Sequence, residues 1–313
     1  MSLNLVGVIP PLVTPFLANG DIDEAAYRNV IRFNLAKGVH GVCPGGSSGE
    51  GHTLTLEEFT RLMEICVDEV KGAVPIVAGI ISNSTRDAIN RAKAISHLPI
   101  AALQVTPVHY LFKPDEEATY RHFKALTEAV AIPVIIYNVI PWNYLTPAQL
   151  IRLMKELPGV QGVKQSQGDL KLMADLVLGV PKDCKIYSAV DALLYSSFAL
   201  GAHGTIAATP AAIPGVCVAL WNAVQAGDHV KALEMHKSML AFWNAIVADN
   251  LPANLKTSIT LQGCNAGLPR APMPPTTDAQ LAKIKVALAD VLRFEAEPAT
   301  AAPAKKATDA ALA

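Results

Sequence analysis

Eight short apolar runs, each followed by a stretch of helical length, constrain this chain more than any other feature. The runs are LVGVIPPLVTPF, GVHGVCPGG, VPIVAGI, IAALQVT, IPVIIYNV, VQGVKQS, CKIYSAV and AHGTIAA, spread over residues 5–208. They are rich in Val and Ile and lack a clean apolar/polar alternation, the character of strands buried on both faces of a parallel sheet. The segments between them have the other period. In residues 23–38, Tyr27, Val30, Ile31 and Leu35 fall on one helical face. Asp23 and Glu24 stand where that helix would start, and Gly38 just past its end. Segments 55–72 and 83–98 behave alike. Eight βα units predict an α/β fold, a (β/α)8 TIM barrel over residues 1–225. An open doubly wound sheet alternates in the same way, but no GxGxxG follows the first run, and eight units suit closure. Residues 226–294 carry additional C-terminal helices, and the Ala/Pro-rich residues 295–313 read as a flexible tail.

Composition excludes several classes of function. Of the 313 residues, 51% are hydrophobic, enough for a large core. A net charge of −1, with no basic run, argues against nucleic acid or an anionic membrane as partner. No charged n-region precedes an apolar segment at the start, and no apolar run reaches the ~18–20 residues of a membrane helix. A soluble, cytoplasmic protein is expected. Five scattered cysteines form no CxxC or CxxH, so they read as free thiols, and no His/carboxylate spacing suggests a metal site. We expect chemistry without metal or cofactor.

In a TIM barrel the chemistry sits at the C-terminal ends of the strands. The sixth run ends in Lys164, the fifth in Tyr137-Asn138, and the fourth leads into VTPVHYLFKP with His109 and Tyr110. The second opens into GGSSGEG, which holds Gly46, Ser47 and Ser48. Burial disfavours the charged form of a lysine, and a neutral amine can attack a carbonyl to give a Schiff base. From position alone, Lys164 could equally reach the rim or pair with a carboxylate. The Gly-Ser loop either cradles a carboxylate or phosphate with its hydroxyls and N–H groups, or is a tight βα turn. Glu50 stands where a Walker A loop needs Lys, so nucleotide binding is not expected. Tyr137 reads as a proton carrier or as a core tyrosine.

Together, GVIPPLVTPF, GGSSGEG, VTPVHYLFKP, IIYNV, GVKQS and DALLYSSFALGAHGTIAA, in this order, resemble the dihydrodipicolinate synthase/N-acetylneuraminate lyase family. LKTSITLQGCNAGLPRAPMPP resembles its C-terminal segment. The resemblance implies a barrel with C-terminal helices, usually homotetrameric, that acts on pyruvate or another 2-oxo acid, commonly with an aldehyde. It implies that Lys164 forms the Schiff base, that Ser47 and Ser48 are the pair of the carboxylate-binding loop, and that Tyr137 relays protons together with Ser47. Ile206 would line the same pocket. A lyase or aldolase that makes or cleaves a C–C bond is the leading expectation. A dehydratase or deaminase through the same imine, and a non-catalytic 2-oxo-acid-binding protein, are the alternatives. The sequence also departs from the family. The synthase branch holds its aldehyde's carboxylate with an arginine after Tyr-Asn-Val-Pro, whereas YNVIPWNYL places Trp142 and Asn143 there. His109 stands where many members carry a second relay tyrosine, with Tyr110 beside it. The sialic-acid branch follows its aspartate with an acidic residue, and here Ala192 follows Asp191. A second substrate less anionic than a dicarboxylate-forming aldehyde, to which Trp142 offers an apolar face, is therefore expected; the alternative is that Trp142 packs at a subunit contact and another residue binds the carboxylate.

Overall fold

The computed structural model describes residues 3–295. Seven short parallel strands form one curled sheet: β1 (Gly7–Val8), β2 (Val77–Ile80), β3 (Ala102–Val105), β4 (Val134–Asn138), β5 (Val160–Gln165), β6 (Lys185–Ser188) and β7 (Gly204–Thr205). Their spatial order is β1-β7-β6-β5-β4-β3-β2, so first and last strands pair and a gap remains between β1 and β2. Residues 40–44 fill it. Val42 bridges Ile76 and Cys43 bridges Pro11, both parallel. The Cys43 N–H donates to the Pro10 carbonyl and the Val42 N–H to that of Pro75. The eight-membered barrel thus closes, as the eight runs predict.

The second run nevertheless differs from its expectation, since it forms isolated bridges rather than a continuous strand. Pro10, Pro11, Pro44 and Pro75 line this seam, and proline has no N–H to give a ladder. Tight packing marks the opposite seam, where a Cβ on Gly204 would lie 2.1 Å from the Gly7 carbonyl oxygen.

Helices cover the outside: α1 (Glu24–Leu35), α2 (Leu56–Val70), α3 (Thr85–Ala94), α4 (Glu116–Ala129), α5 (Pro147–Glu156), α6 (Leu170–Gly179) and α7 (Leu194–Ala199). A short α8 (Thr209–Ala212) precedes α9 (Pro214–Gln225), and three more follow: α10 (His229–Ile246), α11 (Leu251–Thr260) and α12 (Asp278–Leu292). Their starts are written locally. Asp23 caps α1 by accepting from the Ala26 N–H, and Thr55 with Glu58 forms a capping box on α2. Thr146 with Gln149 does the same for α5, and Pro147 suits its first turn. Leu288 and Val291 of α12 and Met239 of α10 belong to the same buried cluster as the barrel helices, so the C-terminal helices share the barrel's core. A separate inner cluster fills the barrel, including Leu5, Ile9, Val77, Ala102, Ile135, Tyr187 and Ile206. None of the described helices is long and apolar enough to cross a membrane. Beyond Glu295, the expected tail lies outside the described residues.

Candidate active site

Side chains alternate across a strand, so the inner cluster fixes which residues point into the barrel. Ile135 points inward, and therefore so does Tyr137, two residues on. Register then places Lys164 directly beside Tyr137 on the neighbouring strand. Both side chains rise from the core toward the C-terminal mouth. Lys164 is 3% exposed, and its Nζ lies 3.7 Å from the centre of the Tyr137 ring. At that distance a lysine nitrogen lies in contact with the ring face. The Tyr137 hydroxyl lies 3.2 Å from Ser47 Oγ. Lysine, tyrosine and serine, from three parts of the chain, thus form one line.

The serine's position comes from the 45–51 loop, which folds on itself. The Gly49 and Gly51 N–H groups both donate to the Gly46 carbonyl, and Thr14 Oγ1 donates to that of Gly49. A Cβ on Gly51 would lie 1.8 Å from the Gly45 carbonyl oxygen, so only glycine permits this turn. Ser47 is left exposed at the mouth and Ser48 is buried beneath it. Ile206 is fully buried in the inner cluster.

Side chains to which the sequence reading gave no role in the chemistry stand near the Lys164–Tyr137 pair. Cys43 Sγ lies 3.6 Å from Gln104 Oε1, and burial pushes this thiol up to about 12 against the opposing charge of Lys164. Burial also raises the Asp191 carboxyl above its ordinary range, opposed by N–H groups of Thr209 and Ala208 and by Lys164. Those N–H groups lie 2.6 Å and 3.2 Å from the Asp191 oxygens. Asn138 Nδ2 donates to Gln165 Oε1 at 2.8 Å, and Asn138 Oδ1 accepts from the Leu145 N–H. This amide clamp locks the ends of β4 and β5 together with the segment that follows β4. Tyr144 lies on that segment. Its hydroxyl is pushed up by burial and by nearby Tyr137.

The expected specificity residues form a separate rim. Trp142 Nε1 donates to the His109 carbonyl at 3.0 Å and Asn143 Nδ2 to that of Val108 at 2.8 Å. His109 Nδ1 faces the Pro107 carbonyl at 2.9 Å. Trp142 and Asn143 therefore fasten one βα loop to the next, and the Trp142 ring stays 60% exposed. Tyr110 is 73% exposed, beside exposed Leu111 and Phe112. Among the described residues, no three His, Cys, Asp or Glu side chains are grouped to hold a metal ion.

A barrel with a buried lysine at its mouth, next to a tyrosine and a Gly-Ser loop, has the architecture of the lyases that work through a lysine Schiff base. A family model described as the dihydrodipicolinate synthetase family matches residues 4–291. The chain belongs to that family and is a lyase of its class. It is 34% identical over 284 residues to a 4-hydroxy-tetrahydrodipicolinate synthase of Bradyrhizobium diazoefficiens, covering 90% of this chain and 95% of that protein. It is 36% identical over 287 residues to one of Phenylobacterium zucineum, covering 91% and 96%. Among solved structures, a dihydrodipicolinate synthase from Bacillus anthracis superposes with a TM-score of 0.87 at 28% identity, over 92% of this chain and 98% of that one. A prophage protein of the dihydrodipicolinic acid synthase family from E. coli K12, in complex with pyruvate, superposes with a TM-score of 0.88 at 25% identity, over 92% and 99%.

Proposed function

We propose that this chain makes or cleaves a C–C bond between pyruvate, or another 2-oxo acid, and an aldehyde, through an imine on Lys164. The observation that carries this reading is the Lys164–Tyr137–Ser47 line at the barrel mouth. The Lys164 amine adds to the keto carbon and passes one of its protons to the keto oxygen; a second proton, taken from solvent by way of Ser47 and Tyr137, lets that oxygen leave as water and leaves the imine protonated. The protonated imine then draws electrons from C3. A C3 proton leaves to Tyr137, the resulting enamine attacks the aldehyde carbon as that proton passes to the aldehyde oxygen, and water then hydrolyses the imine to release the product from Lys164; cleavage runs the same steps backward. Ser47, Ser48 and the amides around Gly46 would hold the 2-oxo acid's carboxylate, and Ile206 would pack below it.

For the second substrate, the segment after β4 is the guide. Residues 139–144 contain no cation that could hold a carboxylate in bidentate fashion. Trp142 offers instead an uncharged rim with an exposed indole face. This supports an aldehyde without a carboxylate, with an apolar or aromatic portion. Exposed Tyr110, Leu111 and Phe112 support a subunit contact, within the homotetramer that the family resemblance implies. Five cysteines that stand as free thiols fit a reducing, cytoplasmic setting. We take residues 1–225 as the catalytic barrel and 226–294 as its C-terminal helical region.

Borohydride added with pyruvate tests the reading. It should attach a reduced adduct to Lys164 and to no other lysine. Product analysis should then recover pyruvate plus an aldehyde from the cleavage direction. An adduct that persists in Lys164→Ala refutes the assignment of the lysine, and a product with the carbon skeleton intact refutes C–C chemistry.

A further inference from the structure

One buried ion pair lies outside the mechanism above. Glu50, in the loop that carries Ser47 and Ser48, is fully buried. Its Oε1 accepts from Lys256 Nζ at 2.6 Å, and Lys256, on α11, is only 2% exposed. The second carboxylate oxygen accepts the Arg270 backbone N–H at 2.9 Å. Lys256 also donates to the Leu268 carbonyl at 2.7 Å. Residues 268–270 are pinned in turn. Leu268 exchanges both backbone hydrogen bonds with Phe16, and the Arg270 guanidinium reaches the carbonyls of Gly20 and Thr53 and the carboxylate of Glu58.

Two charges taken out of water cost more than their attraction returns unless every polar atom is paired, so such a pair is weak support for stability as such. This one occupies a specific place. Glu50 has φ +55°, a conformation unusual for a side chain with a Cβ, and it joins two consecutive single turns of 3-10 helix, Ser47–Gly49 and Gly51–Thr53. Its N–H donates to the Ser47 carbonyl at 3.0 Å. Where Glu50 sits therefore determines where Ser47 sits, and Ser47 is 3.2 Å from Tyr137.

We propose that Glu50 and Lys256 are positioning residues: their ion pair lets the C-terminal helix α11 set the Ser47–Ser48 loop to receive the 2-oxo acid's carboxylate. This rests on the reading of that loop given above. Neither side chain touches substrate. The pair acts by holding backbone.

The test separates this role from bulk stability. Lys256→Met alone strands a buried carboxylate and is expected to unfold readily. The double variant Glu50→Gln/Lys256→Met removes both charges, keeps an oxygen for the Arg270 N–H and refills the lysine's volume. It is expected to recover most of the wild-type melting temperature. The pyruvate concentration for half-maximal borohydride trapping should nonetheless rise about tenfold, the equivalent of roughly one hydrogen bond. Trapping that returns to wild-type concentration together with the melting temperature overturns the proposal. Glu50→Asp, which keeps the charge but shortens the reach, should show the same rise in a folded protein; an unchanged value there also overturns it. Amide hydrogen exchange over residues 46–51 needs no substrate. It should quicken in either folded variant while the barrel strands keep their protection, and unchanged exchange refutes the positioning role. A wild type that traps no pyruvate would sink the Schiff-base reading alone, since the exchange result still decides the loop's tether.

Discussion

Replacing Tyr137 by Phe removes one oxygen and leaves the ring. The ring is what packs in the mouth, 5% exposed, and what Lys164 stacks on. No cavity opens beyond the lost hydroxyl. The hydroxyl meets Ser47 Oγ at 3.2 Å, a long hydrogen bond to an exposed side chain that water can satisfy afterward. Its loss should cost folding about 1 kcal/mol or less. In a chain of this size that lowers the melting temperature by no more than about 3 °C. The kinetic effect should be of another order. If the hydroxyl carries the proton between C3 and the mouth, its removal should slow turnover ~10²-fold or more, about 2.7 kcal/mol in the barrier. Steady-state turnover of pyruvate with the accepted aldehyde, beside a thermal melt, measures both quantities. Borohydride trapping at saturating pyruvate should still label Lys164, because that lysine keeps its place. A kcat within threefold of wild type would return Tyr137 to an ordinary packed tyrosine and break the proposed relay.

Two further outcomes follow from particular contacts. Trp142→Ala releases the His109 carbonyl and removes the exposed indole face, so kcat/KM should fall about tenfold or more for aromatic aldehydes and much less for small ones. If aspartate semialdehyde proves the best wild-type partner, the neutral-rim argument fails while the imine chemistry stands. His122 is buried against Thr85, and burial lowers its imidazole from the ordinary 6.5 to about 4. A folded-state value below the unfolded one contributes stability above pH 6.5 that is lost as pH falls through about 4, at most about 3 kcal/mol. His122→Phe should therefore flatten the decline of the urea midpoint from pH 7 to pH 4, and an unaltered decline would refute the assignment.

Lys164 and Tyr137 were legible because each is a polar residue that closes an apolar run, and strand period two allows both to face the barrel. Their pairing was not, because register depends on which strands meet and where. The seam at residues 40–44 shows the same limit. Its prolines stand in plain view, yet an apolar run reads as a strand until the missing N–H groups are matched to their neighbours. Trp142 read as an apolar face for substrate, but its indole N–H is committed to a backbone carbonyl 33 positions away. Every residue offers such an acceptor, so nothing in the sequence marks that one. Glu50 read only as the residue that spoils a nucleotide loop. Its partner lies 206 positions downstream among helices that looked like an appendage.

That separation has a meaning in time. A ribosome delivers residues 45–51 early and Lys256 late, so most of the barrel emerges before the loop's anion has a cation to meet. Until then Glu50 must stay in water, and the turn around it has no reason to hold φ +55°. The loop at residues 45–51 therefore gains this contact only once α11 is in place. A chain interrupted before α11 would have all eight barrel segments, with Lys164 and Tyr137 among them, and still lack the cation that Glu50 meets.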